Sequence, residues 1–184
     1  MISPPNDTEI LSLLKQETER KKAFEWIVRL NKELIYFHIR RMVLCHDDAN
    51  DVTQNTFIKA WKGLANFRAE SKISTWLYRI ATNEAITFLE KKKRLHGVSF
   101  DEVEHKLAST LQSDPYFDGD FIQQTLQTAI AVLPEKQKAV FLLRYYDEMP
   151  YQEISEITGT SIGGLKASYH HAVKKIEAFI SKID

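Results

Sequence analysis

Three groups of residues in this 184-residue chain have types and spacings that could do chemistry. The first is Asp47-Asp48-Ala49-Asn50-Asp51, a D-D-x-x-D pattern. Carboxylates so spaced are hard-cation ligands that can hold magnesium and a diphosphate. That chemistry also needs a large helical cavity and a second acidic motif, and a chain of this length with an acidic stretch near its middle has no obvious place for either. The six His give no metal-binding spacing. His170 and His171 are adjacent, so on a helix they point about 100° apart. Cys45-His46 has no second Cys to complete a site. There is no glycine-rich phosphate loop and no G-x-S-x-G. No catalytic residue, metal, cofactor or small-molecule substrate is therefore expected.

The second group is basic and aromatic. From Ile58 to Gly97, Lys59, Lys62, Arg68, Lys72, Arg79, Lys91, Lys92, Lys93 and Arg94 face the acidic Glu70, Glu84 and Glu90. Phe57, Trp61, Phe67, Trp76, Tyr78 and Phe88 interleave with them. Single-stranded DNA is held by such a combination, bases stacking on rings while cations follow the phosphates. Trp61 and Trp76 lie on apolar faces and read as core; Phe67 and Tyr78 read as the exposed rings. The cations at 91–94 also suit a helix end, where they complement the dipole. The third group lies in residues 151–175, which spell a short helix, a turn at Gly159 and a second helix. Gly163, Lys166, Ala167, His170, His171 and Lys174 point away from the apolar stripe of that second helix. A small, hydrogen-bonding and basic face is what a helix needs to enter a major groove. An ordinary helical hairpin with a solvated face has the same periodicity.

The elements that must hold these groups are helices, because apolar residues recur at steps of three and four. Phe24, Ile27, Val28, Ile35, His38, Ile39 and Met42 form one stripe; Phe57, Ile58, Trp61, Leu64 and Ala65 a second; Trp76, Leu77, Ile80, Ala81 and Phe88 a third. The acidic pair Asp47-Asp48 suits a helix start, and Ser74 or Thr75 is placed to cap the third stripe. Thr8 through Glu19 reads as a helix packed on this unit or as a regulatory arm. Beyond Gly97 the pattern fails. Asp101, Glu102, Glu104, Asp114, Asp118 and Asp120 stand against Lys106, with Pro115 and Gly119 between, which reads as a linker. Four helices follow: one carrying Ile122, Leu126, Ala129 and Leu133 and stopped by Pro134, then 135–146, 151–158, and a last one capped by Ser161. The fold class is all-α, in two small helical domains: a bundle over 1–97, an acidic linker over 98–121, and a helix-turn-helix domain over 122–184.

Bulk properties agree. Lys plus Arg and Asp plus Glu both number 25, so any basic surface is local. One cysteine allows no internal disulfide and suits a reducing compartment. The N-terminal residues lack the basic start and apolar run of a secretory signal, and no apolar run is long enough for a membrane span. A cytoplasmic protein is expected.

Taken together, these residues resemble bacterial RNA polymerase sigma factors of the extracytoplasmic-function class, in the sigma-70 family. The first block of the resemblance is the run Asp48 to Trp61, followed by Phe67-Arg68-Ala69-Glu70-Ser71 and Ser74 to Asn83. The second is Leu133 to Arg144, Tyr151 to Gly159, and Ser161 to Lys166. The resemblance implies that Asp48, Asp51, Gln54 and Asn55 dock on the polymerase clamp. It implies that Arg68, Ser71, Lys72, Arg79, Asn83, Lys91 and Arg94 capture the opened minus-ten strand. It implies that Ser161, Gly164, Lys166, Ala167, His170, His171 and Lys174 read the minus-thirty-five duplex, with the second domain on the polymerase flap and the linker in the polymerase channel. An anti-sigma factor is a possible further partner. The family often carries Thr at 164, Arg at 168 and 171, Asp at 87 and Gly at 69, where this chain has Gly, Ser, His, Thr and Ala. With His and Lys in place of Arg, fewer bidentate guanine contacts are expected. The other readings are a free-standing helix-turn-helix regulator that dimerises on a palindrome, and a magnesium-dependent enzyme acting on a diphosphate.

Overall fold

The computed structural model describes residues 4–96 and 121–182, and among these there is helix and no strand. Of the stretch expected as a linker, residues 98–120 lie outside the described residues, and Phe121 belongs instead to the first helix of the second unit. The helices are α1 (Asp7–Leu14), α2 (Arg20–Val43), α3 (His46–Gly63), α4 (Ile73–His96), α5 (Phe121–Ala131), α6 (Glu135–Tyr145), α7 (Tyr151–Thr158) and α8 (Ile162–Ile180), with short 3-10 turns at Glu17–Glu19 and Leu64–Asn66.

Local chemistry sets most of the boundaries. Asn6 and Glu9 form a reciprocal capping box at the start of α1. α3 opens with Asp47 and Asp48 in its first turn. Gly159 ends α7 at φ 68, a left-handed conformation that only glycine adopts without strain. Ser161 caps α8, its Oγ accepting from Gly164 N at 3.3 Å. Helix α4 departs from expectation. It begins at Ile73, so Ser74 and Thr75 lie inside its first turn rather than at the cap.

α2, α3 and α4 pack on one another, and α1 lies on α2 with Ile10 buried. Of the stretch read as Thr8 through Glu19, the part up to Leu14 is thus a packed helix, and a 3-10 turn at Glu17–Glu19 leads on to α2. The α2 stripe is as read: Ile27, Ile35, His38, Ile39 and Met42 are buried. The α3 stripe is rotated. Ala49, Val52, Thr56 and Ala60 face inward, while Ile58 and Trp61 are each 44% exposed and Ala65 is exposed. Small residues allow α3 to approach its neighbours closely, and Trp61 rests at the rim against Phe24, ring centroids 5.1 Å apart. In the second unit α8 packs on α5, α6 and α7 around Ala129, Leu133, Phe141, Leu142, Ile154, Ile157, Leu165 and Ala172. Ile122, expected inside, is 73% exposed. The two units touch: α7 lies against α4, and α6 against α2 and α4.

Candidate nucleic-acid interface

Helix α8 separates an inner from an outer face. Leu165, Ala172 and Ile176 are buried, and Tyr169 stacks on Phe141 with centroids 5.6 Å apart. On the other side Ser161, Gly163, Gly164, Lys166, Ala167, His170, His171 and Lys174 are all exposed. At about 100° per residue, Gly163, Lys166, Ala167, His170 and Lys174 share an arc of roughly 100°, with His171 at its edge. The first turn is tight. A Cβ on Gly164 would stand 3.1 Å from Thr160 Cγ2 and 3.3 Å from Ser161 Oγ, so glycine fits better there than a branched residue.

The basic zone lies along α4 and the loop before it. Arg68, Lys72, Arg79, Asn83, Lys91 and Arg94 are exposed and Ser71 is half-buried. Arg79, Asn83 and Arg94 fall within about 60° of one another on the helix, and Lys91 lies further round. Lys72 Nζ donates to Glu153 Oε1 on α7 at 2.6 Å. That bond, then the Glu153 charge, hold the Lys72 ammonium above its ordinary range. The rings are not arranged as read. Tyr78 is buried, and burial followed by the Asp147 charge pushes its hydroxyl well above the usual phenol range. Phe67 is half-buried against Trp76, centroids 4.8 Å apart. Trp61, expected in the core, is the ring left partly open.

On α3, Asp51, Gln54 and Asn55 are exposed at positions i, i+3 and i+4, with Ile58 one turn on. Asp48 is set apart from them: its carboxylate is paired with Lys92 of α4. No group of three or more His, Cys, Asp or Glu able to hold a metal occurs among the described residues.

Both units of the chain match known proteins. The model of sigma-70 region 2 matches residues 27–95, and that of sigma-70 region 4 matches residues 123–176. The ECF RNA polymerase sigma factor SigW of Bacillus subtilis is 35% identical over 80% of this chain and 83% of its own length. This chain belongs to the sigma-70 family, in its extracytoplasmic-function class. The RNA polymerase sigma-H factor of Pseudomonas aeruginosa is 28% identical over 96% of this chain and 95% of its own. Among solved structures, the sigma factor RpoE in complex with the anti-sigma factor NepR from Bartonella quintana aligns with a TM-score of 0.65. It does so at 23% identity over 87% of this chain and 98% of the other. CnrH in complex with the cytosolic domain of CnrY aligns at 0.67 and 19% identity, over 95% and 96%. At those identities the structures speak to the fold. As a sigma factor, the protein directs RNA polymerase to promoters.

Several residues of this sigma factor escaped the sequence reading. Asp7 of α1 accepts from Ile73 N at 3.4 Å, supplying the cap that Lys72 cannot give α4. An acidic residue just inside a first helix is common, so only its distant partner distinguishes it. Leu30, Leu34 and Phe37 leave an exposed apolar row on α2, beside a groove lined by Lys32, Glu33, Tyr36, Phe37 and Thr53. Their spacing was visible, but it lies off the main stripe. His38 was read as part of an apolar face; it is fully buried and hydrogen-bonded at both ring nitrogens.

Proposed function

We propose that residues 1–97 bind the polymerase clamp and capture the opened minus-ten strand, and that residues 122–184 dock on the flap and read the minus-thirty-five duplex. Residues 98–121 tether the two. The observation that carries this reading is the outer face of α8. Seven candidate contact residues are exposed along it, while Leu165, Ala172 and Ile176 anchor its back. Lys166 and Lys174 supply positive charge for phosphates, and His170 and His171 supply donors or acceptors for base edges. Arg68, Ser71, Lys72, Arg79, Asn83, Lys91 and Arg94 form the strand-capturing set, and Asp51, Gln54 and Asn55, with Asp48 at the margin, the clamp-docking set.

The protein is non-catalytic: it redistributes binding energy between duplex and opened DNA. It acts in the cytoplasm, where polymerase is; no helix among the described residues is long and apolar enough to cross a membrane. An anti-sigma factor is its further partner, a reading supported by the structural neighbour RpoE, solved in complex with the anti-sigma factor NepR. Run-off transcription on a fragmented genomic library, with polymerase core and with or without this protein, tests the reading. Discrete new starts sharing two upstream elements are expected. Absence of new starts, with core and protein failing to co-elute, would return the chain to the free-standing regulators.

A further inference from the structure

The two proposed readers cannot both engage a promoter in the arrangement described. Positions minus ten and minus thirty-five lie about 25 base pairs apart, or roughly 85 Å of duplex at about 3.4 Å per base pair. Here Lys72, from the minus-ten loop, is bonded to Glu153 of α7. Only three residues separate the end of α7 from the start of the recognition helix. Even fully extended, the chain from Glu153 to Ser161 would span only about 29 Å. The structure is therefore a closed state, and the two units must part before both elements are read.

Behind the Lys72 contact lies a buried polar junction that crosses between the units. Asp147 stands in the turn between α6 and α7. Its Oδ2 pairs with His38 Nδ1 of α2 at 2.9 Å, and the Arg41 guanidinium donates to its Oδ1 at 3.4 Å. His38 Nε2 meets the Thr82 hydroxyl of α4 at 3.0 Å. Tyr78 stands edge-on to the His38 ring with centroids 5.0 Å apart, and Arg41 lies over the Tyr146 ring at 4.8 Å. The Asp147 side chain is 8% exposed and that of His38 is 0%. The next residue, Glu148, holds φ 52, a left-handed conformation uncommon for such a residue.

We propose that Asp147 is an autoinhibitory pin. Gripped by His38 and Arg41, it keeps this sigma factor shut, with α7 over the strand-reading helix, until polymerase core draws the units apart. The proposal rests on the promoter-reading assignment above. A carboxylate withdrawn from water is tolerated only while its partners stay in place. Once the units part, Asp147, His38 and Arg41 all regain water, so partial opening is the least favourable arrangement. The junction thus favours two discrete states over a graded separation. An apolar seam of equal size would leave bare surface on both units after opening; this one leaves solvated charges. While most molecules are shut, apparent affinity for core falls in proportion to the open fraction.

The test uses the full chain, wild type beside Asp147→Ala, Arg41→Ala and the double variant. Small-angle scattering reads the radius of gyration; titration of core and transcription from a two-element promoter at limiting protein read function. Each single variant is expected to be larger than wild type, to keep its helix content, and to bind core and transcribe at least threefold better. The double variant should resemble the singles, because both remove one junction. A merely structural residue would lower activity when removed, so a gain separates the two. Folded variants of unchanged radius, or with unchanged or lowered transcription, would overturn the pin. If Asp147→Ala fails to fold, Arg41→Ala, at the partly exposed edge of the junction, decides alone by the same measures. Wild type and variants all inactive with core would instead overturn promoter reading itself.

Discussion

Ala69 holds φ 56 in the loop that leads to α4. A side chain in that region costs about 1–2 kcal/mol relative to the right-handed one. Glycine there would relieve the strain but lose more chain entropy on folding. Ala69→Gly is therefore expected to stabilise the protein by about 0.5–1 kcal/mol, read as a higher urea midpoint at unchanged slope. A lower midpoint would mean the loop holds this backbone without strain. Lys138 of α6 has a different cost. It is buried, and burial lowers its ammonium from 10.5 to about 8, with Glu135 opposing. Between those values the unfolded chain keeps a proton that the folded chain has released, so stability from this group rises with pH from about 8 toward 10.5. Below that window the penalty is fully present, on the order of 3 kcal/mol. Lys138→Met should raise the melting temperature at pH 7 and lessen the gain between pH 8 and 10. An unchanged melting temperature would show that the ammonium reaches water.

Helix α4 shows how one element depends on another far away in sequence. Its cap position is Lys72, which offers no acceptor, and Asp7 of α1 accepts from Ile73 N instead. Asp7→Ala is expected to cost about 1 kcal/mol, and Asp7→Asn, which keeps an acceptor, a fraction of that. Hydrogen exchange at the first turn of α4 checks it: equal protection in both variants would remove Asp7 from the account. Helix α8 is self-sufficient by comparison, with Ser161 as its own cap and a buried back of Leu165, Ala172 and Ile176. Reversals on its outer face, Lys166→Glu or Lys174→Glu, should abolish transcription from a promoter that needs the minus-thirty-five element, while leaving the melting temperature unchanged. Normal transcription by both would move the recognition face elsewhere.

Because α3 and α8 belong to different units, polymerase docking and duplex reading are expected to separate. Asp51→Ala with Gln54→Ala should weaken core binding about tenfold or more, in line with loss of one to two charge-assisted or neutral hydrogen bonds. The α8 reversals should leave core binding untouched. Co-elution with core, run for both sets, decides; equal binding by the α3 pair and wild type would take that face out of the clamp site. Formal charge is zero overall, yet cations gather on α4 and the outer face of α8. Free protein is thus expected to bind duplex weakly, with a salt dependence set by those few cations.

The helices from residue 20 onward, the cap at Ser161 and the stop at Gly159 follow from the sequence, because helical period and capping act over three or four neighbours. The outer face of α8 was legible for the same reason: Leu165, Ala172 and Ile176 mark its back, so the exposed arc is what remains. Where a helix carries two apolar faces, spacing could not choose between them. α3 turned Ala49, Val52, Thr56 and Ala60 inward and left Ile58 and Trp61 at the surface. That choice rests on how closely neighbouring helices approach, which favours small side chains over bulky ones. Tyr78 was read as exposed; it is buried, edge-on to His38 and close to the Asp147 carboxylate of the second unit. The closing of one unit on the other was decided by tertiary structure alone. His38 and Asp147 stand 109 residues apart, and a pairing across that distance depends on the final positions of α2, α4 and the turn after α6.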